Sequence, residues 1–300
     1  MNWLIFAFLA YFLLAITSII DRYLLVGPIA SPRAYALYHG VLWLGVGLLL
    51  APFVSVWPPV NIIIFGLVAG LARIFAVLLM AKSIAVDEIS RVLPAIGGFV
   101  PIFVFLLFLV FMSEESILNT SQIGAFVLLT LGSVLISSKK TTSLLGIFRK
   151  TRYTIVAAFL FAVSFFLMKL IFLDADFLIG LCLILLGGGV GAILLFADPS
   201  IRQEVAVRKN AAKTSFLFLL GAGLGGLGVL AQFYAVFLAG PGQVPLINAL
   251  EGIRYVFVLS LVYVLAIRNP RLLKEEIGRT VIVQKIFAIL LIWFGLILLR

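Results

Sequence analysis

The sequence predicts an all-α integral membrane protein with ten transmembrane helices, and two observations lead to this class. Of the 300 residues, 64% are hydrophobic and only 11% are charged, whereas a soluble domain carries about 25% charged residues. The apolar residues form continuous runs of the length that a helix needs to cross the hydrocarbon layer, whereas the strands of a membrane β-barrel would alternate. This composition excludes a secreted disulfide scaffold, a nucleic-acid-binding domain and nearly every soluble enzyme.

Turn residues and polar connections divide the apolar sequence into ten predicted spans. Gly27 and Pro28 follow the first span, and Gly240 to Gly242 separate the eighth from the ninth; Gly and Pro are the strongest markers of turns. The first run is too long for a signal peptide and has no basic residues before it, so we interpret it as a permanent helix. The ten spans are 3–20, 35–57, 60–85, 92–112, 121–138, 153–173, 177–197, 215–239, 245–267 and 281–299.

The distribution of basic residues predicts the orientation. The net charge of +10 could suggest a nucleic-acid partner, but Lys and Arg concentrate in the connections after odd-numbered spans, such as 139–152 and 198–213, while the opposite side has Arg300 alone. Basic residues gather in cytoplasmic loops of membrane proteins. We therefore predict both termini outside, a multi-pass location in the cell (inner) membrane, and no nucleic-acid partner.

A weak internal repeat relates the two halves of the chain. The stretch AKSIAVDEISRVLPAIGGF at 81–99 aligns without gaps with AVFLAGPGQVPLINALEGI at 235–253. We predict a first five-helix repeat at 1–138, a basic linker at 139–152 and a second five-helix repeat at 153–300. Because five is an odd number, the second repeat is inserted upside down relative to the first, an arrangement in which transporters bind solute near the midplane.

Alanines mark corresponding places around the helix hairpins of both halves, and prolines and acidic residues follow them in the first half. The second half has Tyr255 in place of Pro101 and no acidic residue directly after its fourth helix. The residues that carry the pattern are Ala81, Ala85, Pro94, Pro101, Glu114, Glu115, Ala235 and Ala239. With the five-plus-five layout, this pattern resembles the ten-helix EamA-type members of the drug/metabolite transporter superfamily over nearly the whole chain. The resemblance implies solute transport through a cavity between the repeats. It also implies termini inside, as is common in that family, whereas the loop charges of this chain predict termini outside.

Charged residues are rare within the predicted spans, where each costs roughly 2.5–3.5 kcal/mol at the bilayer centre, and four of them are candidate site residues. Arg254 lies about nine residues into the ninth span, and Glu251 precedes it on the same helix face. The pair either lines a solute cavity or forms a structural ion pair between helices. Arg73 lies at similar depth and either shares that cavity or pairs with Glu251 or a carbonyl group. Lys169 either lines the centre or extends to the nearby membrane surface.

Uncharged polar residues add five candidates for the same cavity. Asn248 continues the three-residue spacing of Glu251 and Arg254, and a polar stripe on an apolar helix indicates a wet cavity. Gln232 and Tyr234 lie on the eighth span. Tyr38 and the single histidine, His39, lie on the second span, where a tyrosine can instead anchor at the interface and the histidine can simply be packed.

These features predict a secondary transporter that moves a small polar or charged metabolite by alternating access. The same fold would also suit a flippase for a lipid-linked headgroup. A membrane-embedded enzyme is disfavoured because the chain has one histidine, which excludes an H-E-x-x-H metal site, and because it lacks an aspartate-rich cluster. No cofactor is predicted, the expected partners are the solute and the bilayer, and proton coupling and a homodimer are left open.

Overall fold

The computed structural model describes residues 2–26, 31–86, 89–112, 118–137, 144–206, 211–268 and 279–298. Within these ranges every regular element is helical, which confirms the predicted all-α class. The acidic pair Glu114 and Glu115, which contributes to the family resemblance, lies outside the described residues. The segment 269–278 also lies outside them.

Twelve α-helices, numbered in chain order, make up the described chain. They are α1 (Asn2–Val26), α2 (Pro32–Leu50), α3 (Val60–Val86), α4 (Ile89–Phe111), α5 (Thr120–Ser137), α6 (Leu144–Asp174), α7 (Phe177–Ala197), α8 (Pro199–Ala206), α9 (Ala211–Leu238), α10 (Val244–Ala249), α11 (Glu251–Arg268) and α12 (Arg279–Leu298). Short 3₁₀ turns at Ala51–Phe53 and Pro241–Gln243 precede α3 and α10.

Six of the described helices are long and apolar enough to cross a membrane: α1, α2, α3, α6, α7 and α9. Shorter apolar stretches occur in α4, α5 and α12. Large hydrophobic side chains such as Leu49, Val110 and Phe216 are exposed on the outer surface, as expected where lipid rather than water surrounds the protein. The chain is therefore a membrane-embedded α-helical protein.

The ninth predicted span is not one continuous helix. It divides at Leu250 into α10 and α11, because the amide of Ile253 bonds the carbonyl of Leu250 at 2.9 Å, a spacing of three residues rather than four. A tightened turn of this kind inside a helix often marks a functional hinge. The tightened turn separates Asn248 from Glu251, two of the predicted site residues.

Two predicted connections are partly helical. The linker predicted at 139–152 is helical from Leu144 onward, because no proline or glycine cluster stops the helix before the sixth span. The connection at 198–213 contains α8. Asp198 accepts hydrogen bonds from the amide and hydroxyl groups of Ser200 at 2.9 and 2.7 Å, and Pro199 suits the first position of a helix.

The helices pack in a small number of long pairs. α1 lies along α9, α3 along α6, α2 along α7 and α5 along α12, while α3 also packs on α7 and α4 on α6. The short helix α10 contacts α4, α5, α6 and α9. This packing surrounds parts of α3, α9 and α10 with other helices, and these helices carry the predicted site residues Arg73, Gln232 and Asn248.

Glycines allow α3 and α7 to approach closely. A Cβ atom added at Gly70 would overlap the carbonyl oxygen of Ile184, and one added at Gly187 would overlap the backbone of Leu67. Membrane helices use small residues in this way because van der Waals packing, not hydrophobic burial, holds them together. The contact fixes α3, and with it Arg73, against the second half of the chain.

Candidate functional site

A chain of hydrogen bonds in the protein interior joins four helices. On α3, Arg73 Nη2 donates to Gln232 Oε1 on α9 at 3.1 Å. Gln232 Nε2 donates to the hydroxyl of Tyr11 on α1 at 3.4 Å, and that hydroxyl donates to the carbonyl of Ile247 on α10 at 2.7 Å. Residues 1–138 and 153–300 thus meet at this network, which we call the central network: Tyr11, Arg73, Gln232 and the Ile247 carbonyl.

Aromatic rings rather than carboxylates surround the guanidinium of Arg73. Its Cζ atom lies 4.9 Å from the ring centres of Phe165 and Phe233, 5.7 Å from that of Phe161 and 6.0 Å from that of Trp43. Such cation–π contacts stabilise a desolvated cation by about 2 kcal/mol. Among the described residues, none of the carboxylates forms an ion pair with Arg73, so its charge is not neutralised by a salt bridge.

A second polar group, which we call the ion-pair cluster, comprises Glu251, Arg254 and Ser18. Arg254 Nη1 lies 3.2 Å from Glu251 Oε1. Arg254 Nε and Nη2 donate to the Ser18 hydroxyl at 3.0 and 2.7 Å, and this hydroxyl donates to the carbonyl of Leu14. The charged side chains of Arg254 and Glu251 are 14% and 15% exposed, so neighbouring helices do not cover them completely.

Four buried polar atoms of the described residues lack a hydrogen-bond partner: Arg73 Nη1, Thr130 Oγ1, Ser164 Oγ and Asn248 Oδ1. Asn248 is fully buried, and its Nδ2 atom donates to the Val244 carbonyl at 2.9 Å, which fixes the orientation of the amide. A buried polar atom without a partner costs about 1–3 kcal/mol. The interior between α3, α6 and α10 therefore presents polar atoms that nothing in the described protein satisfies.

Two predicted residues lie apart from the central network. Tyr234 packs in an aromatic cluster with Phe6, Phe177 and Phe237, with ring centres 4.7, 5.1 and 5.8 Å away. Lys169 stays buried instead of extending to the surface, and its Nζ atom lies 3.5 Å from the carbonyls of Val236 and Phe237. Both residues lie near the ends of their helices.

A surface depression of about 530 Å³ opens beside this aromatic cluster. Its wall comes from residues 56–59 before α3, from residues 172–176 at the end of α6 and in the turn before α7, and from Phe237. The exposed carboxylates Asp174 and Asp176 lie at its rim. Because Phe237 borders the depression and also bonds Lys169, the aromatic cluster separates this opening from the interior.

The remaining predicted residues, Tyr38 and His39, lie near the opposite ends of the helices. Both rings pack on Phe218, at 5.5 and 5.3 Å between centres, and His39 Nδ1 lies 3.1 Å from the Tyr35 carbonyl. The Tyr35 hydroxyl is hydrogen-bonded to the carboxylate of Asp21. We call this group the inner cluster, since it lies on the side that the loop charges assign to the cytoplasm.

Sequence reasoning missed Tyr11 and Ser18, which connect α1 to both polar groups. Their spacing of seven residues places them on one face of α1, two turns apart, and that spacing was the available signal. The phenylalanines around Arg73 carried no signal, because the chain has 27 phenylalanines and aromatic residues occur throughout its helices.

Comparison with known proteins establishes the fold alone. A solved structure described as "Crystal structure of protein" is similar over 100% of this chain and 96% of its own, with a TM-score of 0.69 and 13% sequence identity. No protein-family model matches the sequence, and no curated protein matches it. The fold of this membrane-embedded chain is therefore similar, over its full length, to one seen in a crystal.

Proposed function

We propose that this chain is a secondary transporter that moves a small polar or charged metabolite between its two halves. The observation that carries the proposal is the central network, a charged hydrogen-bonded chain in the membrane interior that joins residues of both halves. Ionisable groups at this depth are costly and usually line a solute or ion path. The unsatisfied atoms of Arg73 and Asn248 support the presence of such a path.

The helix packing supports the two inverted repeats of this proposal. If α1 corresponds to α6, α2 to α7, α3 to α9, α4 to α10–α11 and α5 to α12, then the pair α1–α9 maps onto α6–α3. The pairs α2–α7 and α5–α12 map onto themselves, and all four are extensive contacts. Not every contact has an equal counterpart: α3 packs extensively on α7, for example, whereas α9 has no comparable contact with α2 among the described residues. An unequal pair of this kind is what alternating access between two repeats requires.

The family and orientation belong to the same proposal. The five-plus-five helix order and the hairpin positions support membership of the drug/metabolite transporter superfamily with EamA-type repeats. The basic connections support an inner-membrane location with both termini outside. In this orientation the depression beside Asp174 opens outward and the inner cluster faces the cytoplasm, with the central network between them.

Uptake of a metabolite mixture into membrane vesicles tests the proposal for a solute of any identity. Vesicles with and without the chain are incubated in a mixture of small polar metabolites, and their contents are measured by mass spectrometry. The test variant replaces both partners of the ion-pair cluster, Glu251→Gln with Arg254→Gln. Because no unpaired charge is left behind, we expect this variant to fold but to lose the accumulation that the wild-type chain produces.

A matched control removes an ion pair outside the spans. Arg33 and Asp198 lie 3.8 Å apart and are both exposed, and the variant Arg33→Gln with Asp198→Asn should transport like the wild type. Equal contents in vesicles with and without the chain would contradict the transport proposal. Equal transport by the wild type and by the variant of Glu251 and Arg254 would show that the ion-pair cluster has no role in transport.

A further inference from the structure

The charge of Arg73 is incompletely compensated in the membrane interior. The side chain is 6% exposed, and one of its five N–H donors bonds a neutral amide oxygen, that of Gln232. Its Nη1 atom has no hydrogen-bond partner. A guanidinium presents five donors in a planar fork that matches a carboxylate or a phosphate. Arg73 is therefore a donor group without an acceptor of opposite charge.

No described acidic residue of the chain supplies that acceptor. Glu251 acts electrostatically on Arg73, but its carboxylate is hydrogen-bonded to Arg254 at 3.2 Å and not to Arg73. Asp21 is engaged by Tyr35 in the inner cluster. Asp174 and Asp176 lie at the surface depression, beyond the aromatic cluster. The aromatic rings around Arg73 offset part of its desolvation cost but accept no hydrogen bond in the plane of the fork.

Asn248 supplies the complementary feature. It is fully buried, its Nδ2 atom is committed to the Val244 carbonyl, and its Oδ1 atom has no donor. It follows Ile247, whose carbonyl is the end of the hydrogen-bonded chain that starts at Arg73. The central network is thus flanked by an unused cationic donor at one end and an unused acceptor at the other.

We propose that the solute of this transporter is an organic anion whose carboxylate or phosphate binds Arg73 and whose hydroxyl or amine, at the other end of the molecule, donates to Asn248 Oδ1. The inference rests on the proposed transport function for its physiological role, but the binding site itself is separable from transport. Charge-assisted bonds to a guanidinium are about twice as strong as neutral ones, so Arg73 supplies most of the affinity. Asn248 supplies the preference for a donor group away from the charged group.

Thermal unfolding of the purified full chain in detergent tests the site with simple probes. The anions are propionate, lactate, benzoate, inorganic phosphate and glycerol 3-phosphate, and the controls are choline and glucose. We expect carboxylates or phosphates, but neither control, to raise the unfolding temperature. A comparison of the carboxylates with the phosphates shows which of the two anionic groups the site prefers. Glycerol 3-phosphate should bind more tightly than inorganic phosphate, because it also carries hydroxyl groups away from the phosphate.

Variants assign the binding to the two residues. Arg73→Gln should weaken anion binding at least about tenfold, which corresponds to about 1.4 kcal/mol. Arg73→Lys should bind with intermediate affinity because it keeps the charge and loses the fork, and it replaces Arg73→Gln if the latter does not fold. Arg33→Gln, which removes a surface positive charge, should bind like the wild type. Asn248→Leu should abolish the preference for glycerol 3-phosphate over inorganic phosphate.

Counterflow in proteoliposomes separates the site from the transport function. Anion binding that depends on Arg73 without any flux would leave the site standing and overturn the transport proposal. Flux of choline or glucose that survives Arg73→Gln would leave transport standing and overturn the anion site. The site is likewise overturned if no anion stabilises the wild type, or if Arg73→Gln and the wild type bind equally.

Discussion

Replacement of Tyr11 by Phe removes one hydroxyl from the middle of the central network while keeping the ring. The hydroxyl is the only link in this network between α1 and α10: it donates to the Ile247 carbonyl at 2.7 Å and accepts from Gln232 Nε2 at 3.4 Å. Tyr11 is fully buried, so lipid and water cannot replace the lost partner. The substitution leaves a carbonyl oxygen and an amide donor without their bonds.

The size of the effect follows from these two bonds. Side-chain hydrogen bonds between membrane helices contribute about 0.6 kcal/mol on average and at most about 1.7 kcal/mol. The bond to Ile247 is short and fully buried, while the bond to Gln232 is long, so we place Tyr11→Phe at about 1–2 kcal/mol. That value lowers the ratio of folded to unfolded protein about 5- to 30-fold.

Reversible unfolding in mixed detergent measures this change, and Tyr23→Phe is the matched control. Tyr23 lies on the same helix but is exposed, so its substitution should change the unfolding free energy by less than about 0.5 kcal/mol. Solute uptake should fall with Tyr11→Phe, because α10 carries Asn248 and is no longer bonded to α1. Equal unfolding free energies for the two variants would refute the importance of the network.

Three further changes test other parts of the structure. Gly187→Ala adds a methyl group against the backbone of α3 and should destabilise the protein by about 1–3 kcal/mol, seen as a lower unfolding temperature. Ser18→Ala removes the acceptor of two Arg254 donors and should reduce uptake, whereas unchanged uptake would argue against the ion-pair cluster. Hydrogen bonds from the Ser200 hydroxyl and amide hold the pKa of Asp198 below its usual value. The capping stabilisation of α8 is therefore present above the unfolded pKa of Asp198 and is lost as pH falls through its lower folded pKa. Thermal unfolding measured as a function of pH should show this loss for the wild type and not for Asp198→Asn.

Much of the fold could be predicted from the sequence because hydrophobic runs and charges are strong signals in a membrane protein. The all-helical class follows from the continuous apolar runs, and Arg73, Glu251 and Arg254 stand out because ionised side chains are rare within such runs. The division at Leu250 could not be predicted, since no glycine or proline occupies that position and the cause is a local change in hydrogen-bond spacing.

Side-chain partners were less predictable than helix positions. Lys169 lies close enough to a helix end to extend to the surface, yet it is buried because α9 places two carbonyl groups within its reach. Arg73 was predicted to share a cavity with Arg254 or to pair with Glu251 or a carbonyl, whereas its bonded partner is Gln232. These outcomes depend on which helices are neighbours, and a single sequence does not contain that information.

Access of water to the ion-pair cluster tests the transport proposal most directly. The chain has one cysteine, so Ser18→Cys in a Cys182→Ser background places a single thiol beside Arg254, and Ala157→Cys on α6 places one at a fully buried site. We predict that a membrane-impermeant thiol reagent labels the cysteine at position 18 from both sides of the membrane and leaves that at position 157 unlabelled. Equal protection of both cysteines would contradict a solute path between the two halves.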